Sequence, residues 1–310
     1  MAEIRSLRSA FKNLNHSGAK PMENTKVNEK YKDRLFKFIF GRPDKKEWLL
    51  SLYNAVNHSH HENPDDIMFT TLDNVIYVNM KNDLSFLIGN TMSFYEHQST
   101  HNPNMPLRML FYLSKVYENY VYDPERDISI YSSIIQNIPT PKLICFYNGT
   151  KDIGDSITLR LTDMMTDGSG SDVEVSVLML NINQGKNKEL LDSCVPLSEY
   201  SLFTTNVRKY LQQYKDMDMA VEMAIGDLPD GSEIKAFLKA NCGEVKDMCL
   251  TEYDAERENK ILKKQYLEEG ADRMASLVAM LLKAGRIDDL QKASTDASYR
   301  EKLFKEFGID

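Results

Sequence analysis

Apolar positions along the chain switch between two periods, and the switches divide it into elements. Over residues 28–40, Tyr31, Leu35, Phe38 and Ile39 recur at helical spacing, and Gly41 followed by Pro43 closes the run. Trp48, Leu49, Leu52, Tyr53 and Val56 predict a second helix. A polar loop over 58–66 precedes three strand-like runs at 74–80, 84–88 and 91–99. Helical periodicity returns over 105–122, where Pro106 suits a first turn. The apolar run 142–147, ended by Asn148-Gly149, reads as a strand buried on both faces, and 156–161 and 173–183 read as two more. The Asp167-Gly168-Ser169-Gly170-Ser171 segment joins those two strands. It lacks a following Lys-Ser/Thr, so it predicts a flexible connector rather than a phosphate cradle. From 198 onward the pattern is helical. Met274, Leu277, Val278, Leu281 and Leu282 form an apolar stripe stopped by Gly285, and a last helix over 296–307 is capped by Gly308. This order predicts an α/β (α+β) core with a helical C-terminal extension: a basic tail over 1–24, a core over 25–215 and a helical region over 216–310.

Composition narrows the setting. The 310 residues are 42% hydrophobic, enough for one substantial core and a smaller appendage. No apolar run reaches about 18 residues, so no membrane span is expected. Residues 1–20 carry scattered charge without an apolar stretch and cleavage site, so no secretory signal is expected either. Cys145, Cys194, Cys242 and Cys249 form no CxxC, which fits a reduced, cytoplasmic chain with buried thiols. The net charge of −8 is unevenly spread. Residues 1–47 hold twelve Lys/Arg against six Asp/Glu, or +6, which leaves −14 for the rest. Such a basic segment can face DNA while the body stays acidic; a solvated tail over 1–24 accounts for the same composition.

The chemistry concentrates around a hairpin. Gly89-Asn90 lies between two strand-like runs and is a two-residue turn signal. That turn pairs 88 with 91 and 86 with 93, and so sets Asp83 opposite Glu96, with Gln98 on the same face. Opposed carboxylates repel across a ladder, and a hard divalent cation held between their oxygens would relieve the repulsion. The His97 backbone carbonyl, between Glu96 and Gln98, is a further candidate ligand. Hairpin geometry is equally compatible with an exposed polar face, with Asp83 in a turn and Glu96 neutralised by Arg108.

Asp83, then Tyr95-Glu96-His97-Gln98-Ser99, then Met105-Pro106-Leu107-Arg108 and Phe111-Tyr112 resemble the Rpn family of recombination-promoting nucleases and transposases. Asp33-Arg34-Leu35-Phe36-Lys37 and Cys145-Phe146-Tyr147-Asn148-Gly149 extend the resemblance, which covers roughly residues 28–215 in order. That family is similar to the PD-(D/E)xK nuclease superfamily. The resemblance implies a restriction-endonuclease-like mixed sheet flanked by helices, and magnesium-dependent endonucleolytic cleavage of DNA, with manganese as a substitute. Asp83 and Glu96 match the two acids of the motif, and Gln98 stands at its lysine position. Lysine would orient the attacking water and offset developing charge; glutamine can orient but brings no charge. Glutamine at this position belongs to the Rpn pattern itself.

The remaining candidates are subsidiary. Arg108, one turn into its helix, is a candidate phosphate ligand or a partner of Glu96, and Lys30, Lys32 and Arg34 are candidate phosphate contacts. His97 points to the face opposite Glu96 and is expected to be a packed or surface histidine rather than a general base. The His58-Ser59-His60-His61-Glu62 run lacks the helical pairing of a zinc site. Phe36, Phe38 and Phe40 read as core or helix surface rather than a base-stacking platform. Self-association stays open, and no function is assigned to the C-terminal helices.

Overall fold

The computed structural model of the chain describes residues 34–70, 83–167 and 171–309, with 251–260, 262 and 263 described through their backbone alone. The expected strand over 74–80, the first residues of the first helix, Lys30, Lys32, the tail over 1–24 and the centre of the glycine-rich connector lie outside the described residues. Helices α1 (Arg34–Phe40) and α2 (Lys46–Asn57) come first, followed by β1 (Met68–Phe69), β2 (Leu84–Ile88) and β3 (Thr91–Gln98). Helix α3 (Met105–Val121), β4 (Thr140–Tyr147), β5 (Ser156–Arg160) and β6 (Ser176–Asn181) complete the sheet region. Helices α4 (Lys188–Ser193), α5 (Val195–Tyr214), α6 (Met217–Gly226), α7 (Glu233–Ala240), α8 (Cys242–Lys283), α9 (Ile287–Thr295) and α10 (Ala297–Phe307) follow.

The strands form one mixed sheet in the order β1-β2-β3-β4-β6-β5. β1-β2 and β2-β3 pair antiparallel, β3-β4 and β4-β6 are parallel, and β5 is an antiparallel edge. The hairpin register is the expected one, with Ile88 opposite Thr91, Phe86 opposite Ser93 and Leu84 opposite Tyr95. Gly89 supplies the positive φ (54°) that the first turn position requires. Strand β1, two residues long, carries no pattern of its own and was not legible in the sequence.

Alternation along the strands feeds two cores. Tyr95, Ile144 and Phe146 face a layer built from α1, α2, α5, α6, α7 and the start of α8. Phe94, Cys145, Tyr147, Val177 and Met179 face α3 through Met105, Met109, Tyr112 and Val116. The run Ile144–Tyr147 is buried on both faces, as its unbroken apolar character requires. The first core continues past residue 215 through Val221, Ile225, Leu238 and Val245. Leu277 and Leu281 of α8 form a separate cluster with Ala293, Leu303 and Phe304. Met274 of the expected stripe packs against this cluster, whereas Leu282 is exposed. Asp296 caps α10 through Tyr299, and Gly308 ends it at φ 63°. Cys145, Cys194 and Cys249 are buried, and Cys242 is half-buried.

Candidate active site

Side-chain alternation on β3 sends Glu96 and Gln98 to the α3 face together with Phe94. Asp83 enters β2 on that face, one step beyond the last paired residues, Leu84 and Tyr95. The two acids are linked reciprocally through the backbone. The Asp83 amide donates to Glu96 Oε1 at 3.0 Å, and Asp83 Oδ2 accepts from the His97 amide at 2.8 Å.

Helix α3 brings a cation to the pair. Arg108 Nη2 lies 3.2 Å from Glu96 Oε2 and donates to the Tyr112 hydroxyl at 3.0 Å. Glu96 is only 1% exposed, so this contact offsets a charge that burial would otherwise penalise. Burial works against the Arg108 charge, but Glu96, with Tyr112 and Asp83, outweighs it and raises the guanidinium above its usual value. Burial, reinforced by the Glu96 charge, pushes the Tyr112 hydroxyl well above the ordinary phenol range. The expected Glu96–Arg108 contact is present, but the exposed hairpin face it was paired with is not. Glu96 and Gln98 are both buried.

His97 faces the opposite side, as strand alternation requires. Its Nε2 lies 2.9 Å from the Tyr200 hydroxyl, and its ring stacks on Phe36 at 5.4 Å. Phe36 and Phe40 are core residues, and Phe38 packs against the core. Arg34 opens α1 and is exposed. In the histidine-rich loop, the Asn54 side chain binds the backbone of His61, and His61 packs edge-on against Tyr53.

Several further residues surround the site. Asn148 and Gly149 follow β4, directly beside the end of β3. The Asn148 amide donates to the Gln98 carbonyl at 3.1 Å. A Cβ on Gly149 would meet the Ser99 carbonyl oxygen at 2.3 Å and the Tyr147 ring at 2.5 Å, so only glycine fits this crossing. Arg208 of α5 donates to the Asn148 carbonyl and, at 3.1 Å, to its side-chain oxygen. The i,i+4 spacing of Tyr112 after Arg108 could have flagged Tyr112. Nothing local marks Arg208, whose partner lies sixty residues away.

The cluster thus holds two carboxylates, a guanidinium, a carboxamide and a protonated phenol at the carboxyl end of β3, where ligands of open α/β sheets bind. Among the described residues, no group of three or more His, Cys, Asp or Glu side chains could hold a metal ion. Two hard carboxylates nevertheless match magnesium, which takes one or two carboxylates and fills its remaining positions with water and phosphate. Among the described residues, no helix is long and apolar enough to cross a membrane. Set against family models, curated proteins and solved structures, the chain finds no match in any of the three.

Proposed function

We propose that the chain is a magnesium-dependent DNA endonuclease, associated with recombination or mobile elements and working in the cytoplasm. The observation that carries this reading is the Asp83–Glu96 pair, interlocked at the open end of a hairpin with Gln98 beside it. The mixed sheet flanked by helices and the Rpn-like order of motifs support it. Asp83 and Glu96 would hold magnesium, with manganese as a substitute and the His97 carbonyl as a further donor. When bound, the ion would polarise the scissile phosphate and lower the pKa of a coordinated water. Gln98 accepts from or donates to the attacking water and so orients it. Arg108, kept charged by Glu96, supplies the positive charge that Gln98 lacks and can shift from the carboxylate to a phosphate oxygen. The basic segment containing Lys30, Lys32 and Arg34 draws the DNA backbone toward an otherwise acidic body.

One observation favours a second reading. Arg108 already neutralises Glu96, as in a structural ion pair, which fits a non-catalytic DNA- or protein-binding module on the same fold. Incubating the purified chain with supercoiled plasmid in magnesium, manganese or chelator separates the two. Nicking in either metal and none in chelator is expected; DNA binding without nicking in any condition overturns the enzyme reading.

A further inference from the structure

The end of β3 that carries Gln98 depends on its β4 neighbour. Among the described residues, the backbone ladder to β2 stops at the Leu84–Tyr95 pair, and the Asp83 carboxylate reaches on to the His97 amide. Gln98 lies beyond both. On the other side the parallel ladder pairs Gln98 with Tyr147, and the Asn148 amide continues it to the Gln98 carbonyl at 3.1 Å. Gly149 then crosses so close to Ser99 that a Cβ there would lie 2.3 Å from the Ser99 carbonyl oxygen. The place of Asn148 and Gly149 therefore sets where Gln98 and Ser99 can sit.

Two side chains hold Asn148 and Gly149. Arg208 donates through Nη1 to the Asn148 carbonyl and through Nη2 to the Asn148 side-chain oxygen at 3.1 Å. Its Nη1 also reaches Asn183 Oδ1 at 3.4 Å, and Asn183 Nδ2 donates to the Gly149 carbonyl at 3.0 Å. Asn148 is buried, and Arg208 leaves α5 directly after Val207, which packs that helix into the first core with Tyr200 and Phe203. The clamp thus stands on a rigid base. A guanidinium suits it, because a planar fork fixes direction as well as distance, whereas an ammonium acts as a point charge.

We infer that Arg208 is a positioning residue for Gln98, acting through Asn148 and Gly149 to hold the carboxamide where it orients the attacking water. This role rests on the endonuclease reading. Geometry at a reacting centre tolerates little error, and a displacement of about 1 Å can cost about 100-fold in rate.

Steady-state nicking by the full chain separates this role from a structural or DNA-binding one. Arg208→Lys keeps the charge and loses the fork. It is expected to lower kcat about 10- to 100-fold, while KM for plasmid and the half-saturating magnesium concentration stay within about 2-fold of the wild type. In a Gln98→Ala background the same substitution should cost less than about 3-fold, because the group being positioned is gone. Asn183→Ala loosens the same residues without altering Arg208; it should repeat both results and stands in if Arg208→Lys does not fold. Hydrogen exchange at the Asn148 amide reads the clamp independently of activity. It should quicken at least about 10-fold in both variants while the amides of β2 keep their wild-type rates. A raised KM with unchanged kcat, an equal loss in both backgrounds, or unchanged exchange at Asn148 overturns the inference and leaves the endonuclease reading standing. A wild type that nicks in neither magnesium nor manganese overturns the endonuclease reading, and this role with it.

Discussion

The Asp83 amide donates to the Glu96 carboxylate at 3.0 Å, while the Asp83 carboxylate accepts from the amide next to Glu96, that of His97, at 2.8 Å. Each acid thus orients the strand that carries the other. Two carboxylates held together in this way need a positive neighbour, and Arg108 is one.

Removing that neighbour should be costly. Arg108→Met leaves Glu96 buried without its guanidinium, and urea unfolding should report a loss of about 3–5 kcal/mol. Combining it with Glu96→Gln should recover about half of that loss, because the two sites are coupled. Strictly additive losses would mean that the ion pair does not stabilise the fold.

Gln98 is the next test. Gln98→Ala should slow magnesium-dependent nicking roughly 10- to 1000-fold by removing a positioned hydrogen-bonding group. Gln98→Lys should keep or raise the rate and lower the magnesium requirement, since an ammonium can offset charge on the phosphate. Initial rates measured against magnesium would place Gln98 away from the reacting atoms if the three curves superimpose.

The hairpin register was legible because turn chemistry and alternation agree. Gly89-Asn90 fixes the turn, and with a period of two a one-residue slip would exchange Glu96 for His97 on the α3 face. The same alternation placed His97 on the opposite face. Other features were illegible for physical reasons. Burial of Glu96 depends on α3 crossing above β3, and no local pattern encodes that crossing. Phe94 and Tyr95 both serve cores, so apolar character alone could not mark the pair beside them as covered. The Arg208–Asn148 contact joins α5 to the end of β4 across a sixty-residue separation. β1 is a strand only because β2 offers it an edge.

Gly149 should tolerate no side chain. Gly149→Ala drives a Cβ into the Ser99 carbonyl and the Tyr147 ring, and overpacking of this kind costs about 1–3 kcal/mol. Gly89→Ala meets nothing within 4 Å, but its φ of +54° should cost about 1 kcal/mol. Chemical denaturation of both variants checks the order. A Gly149 variant as stable as the wild type would show that the turn does not press against β3.

Alkaline stability should follow the buried phenols. Burial raises Tyr117 from 10.0 to about 12 and raises Tyr95 further. Unfolded, these groups ionise near 10.0; folded, they keep their protons to higher pH. Unfolding therefore releases protons, so their contribution is complete below pH 10 and declines as pH rises through 12. Urea midpoints should fall over that interval, and Tyr95→Phe should make the fall shallower. An unchanged slope in Tyr95→Phe would mean that Tyr95 ionises at the same pH in both states.

Plasmid nicking by Asp83→Asn and Glu96→Gln, each assayed below its own melting temperature, tests whether these two acids form the active centre. These near-isosteres keep an acceptor for the backbone amides but remove the charge that would hold magnesium. The expected result is loss of at least about 100-fold in rate for both variants, in magnesium and in manganese, with the far-ultraviolet circular dichroism spectrum unchanged. Nicking at the wild-type rate by both variants, still abolished by chelator, would place the active centre away from this hairpin.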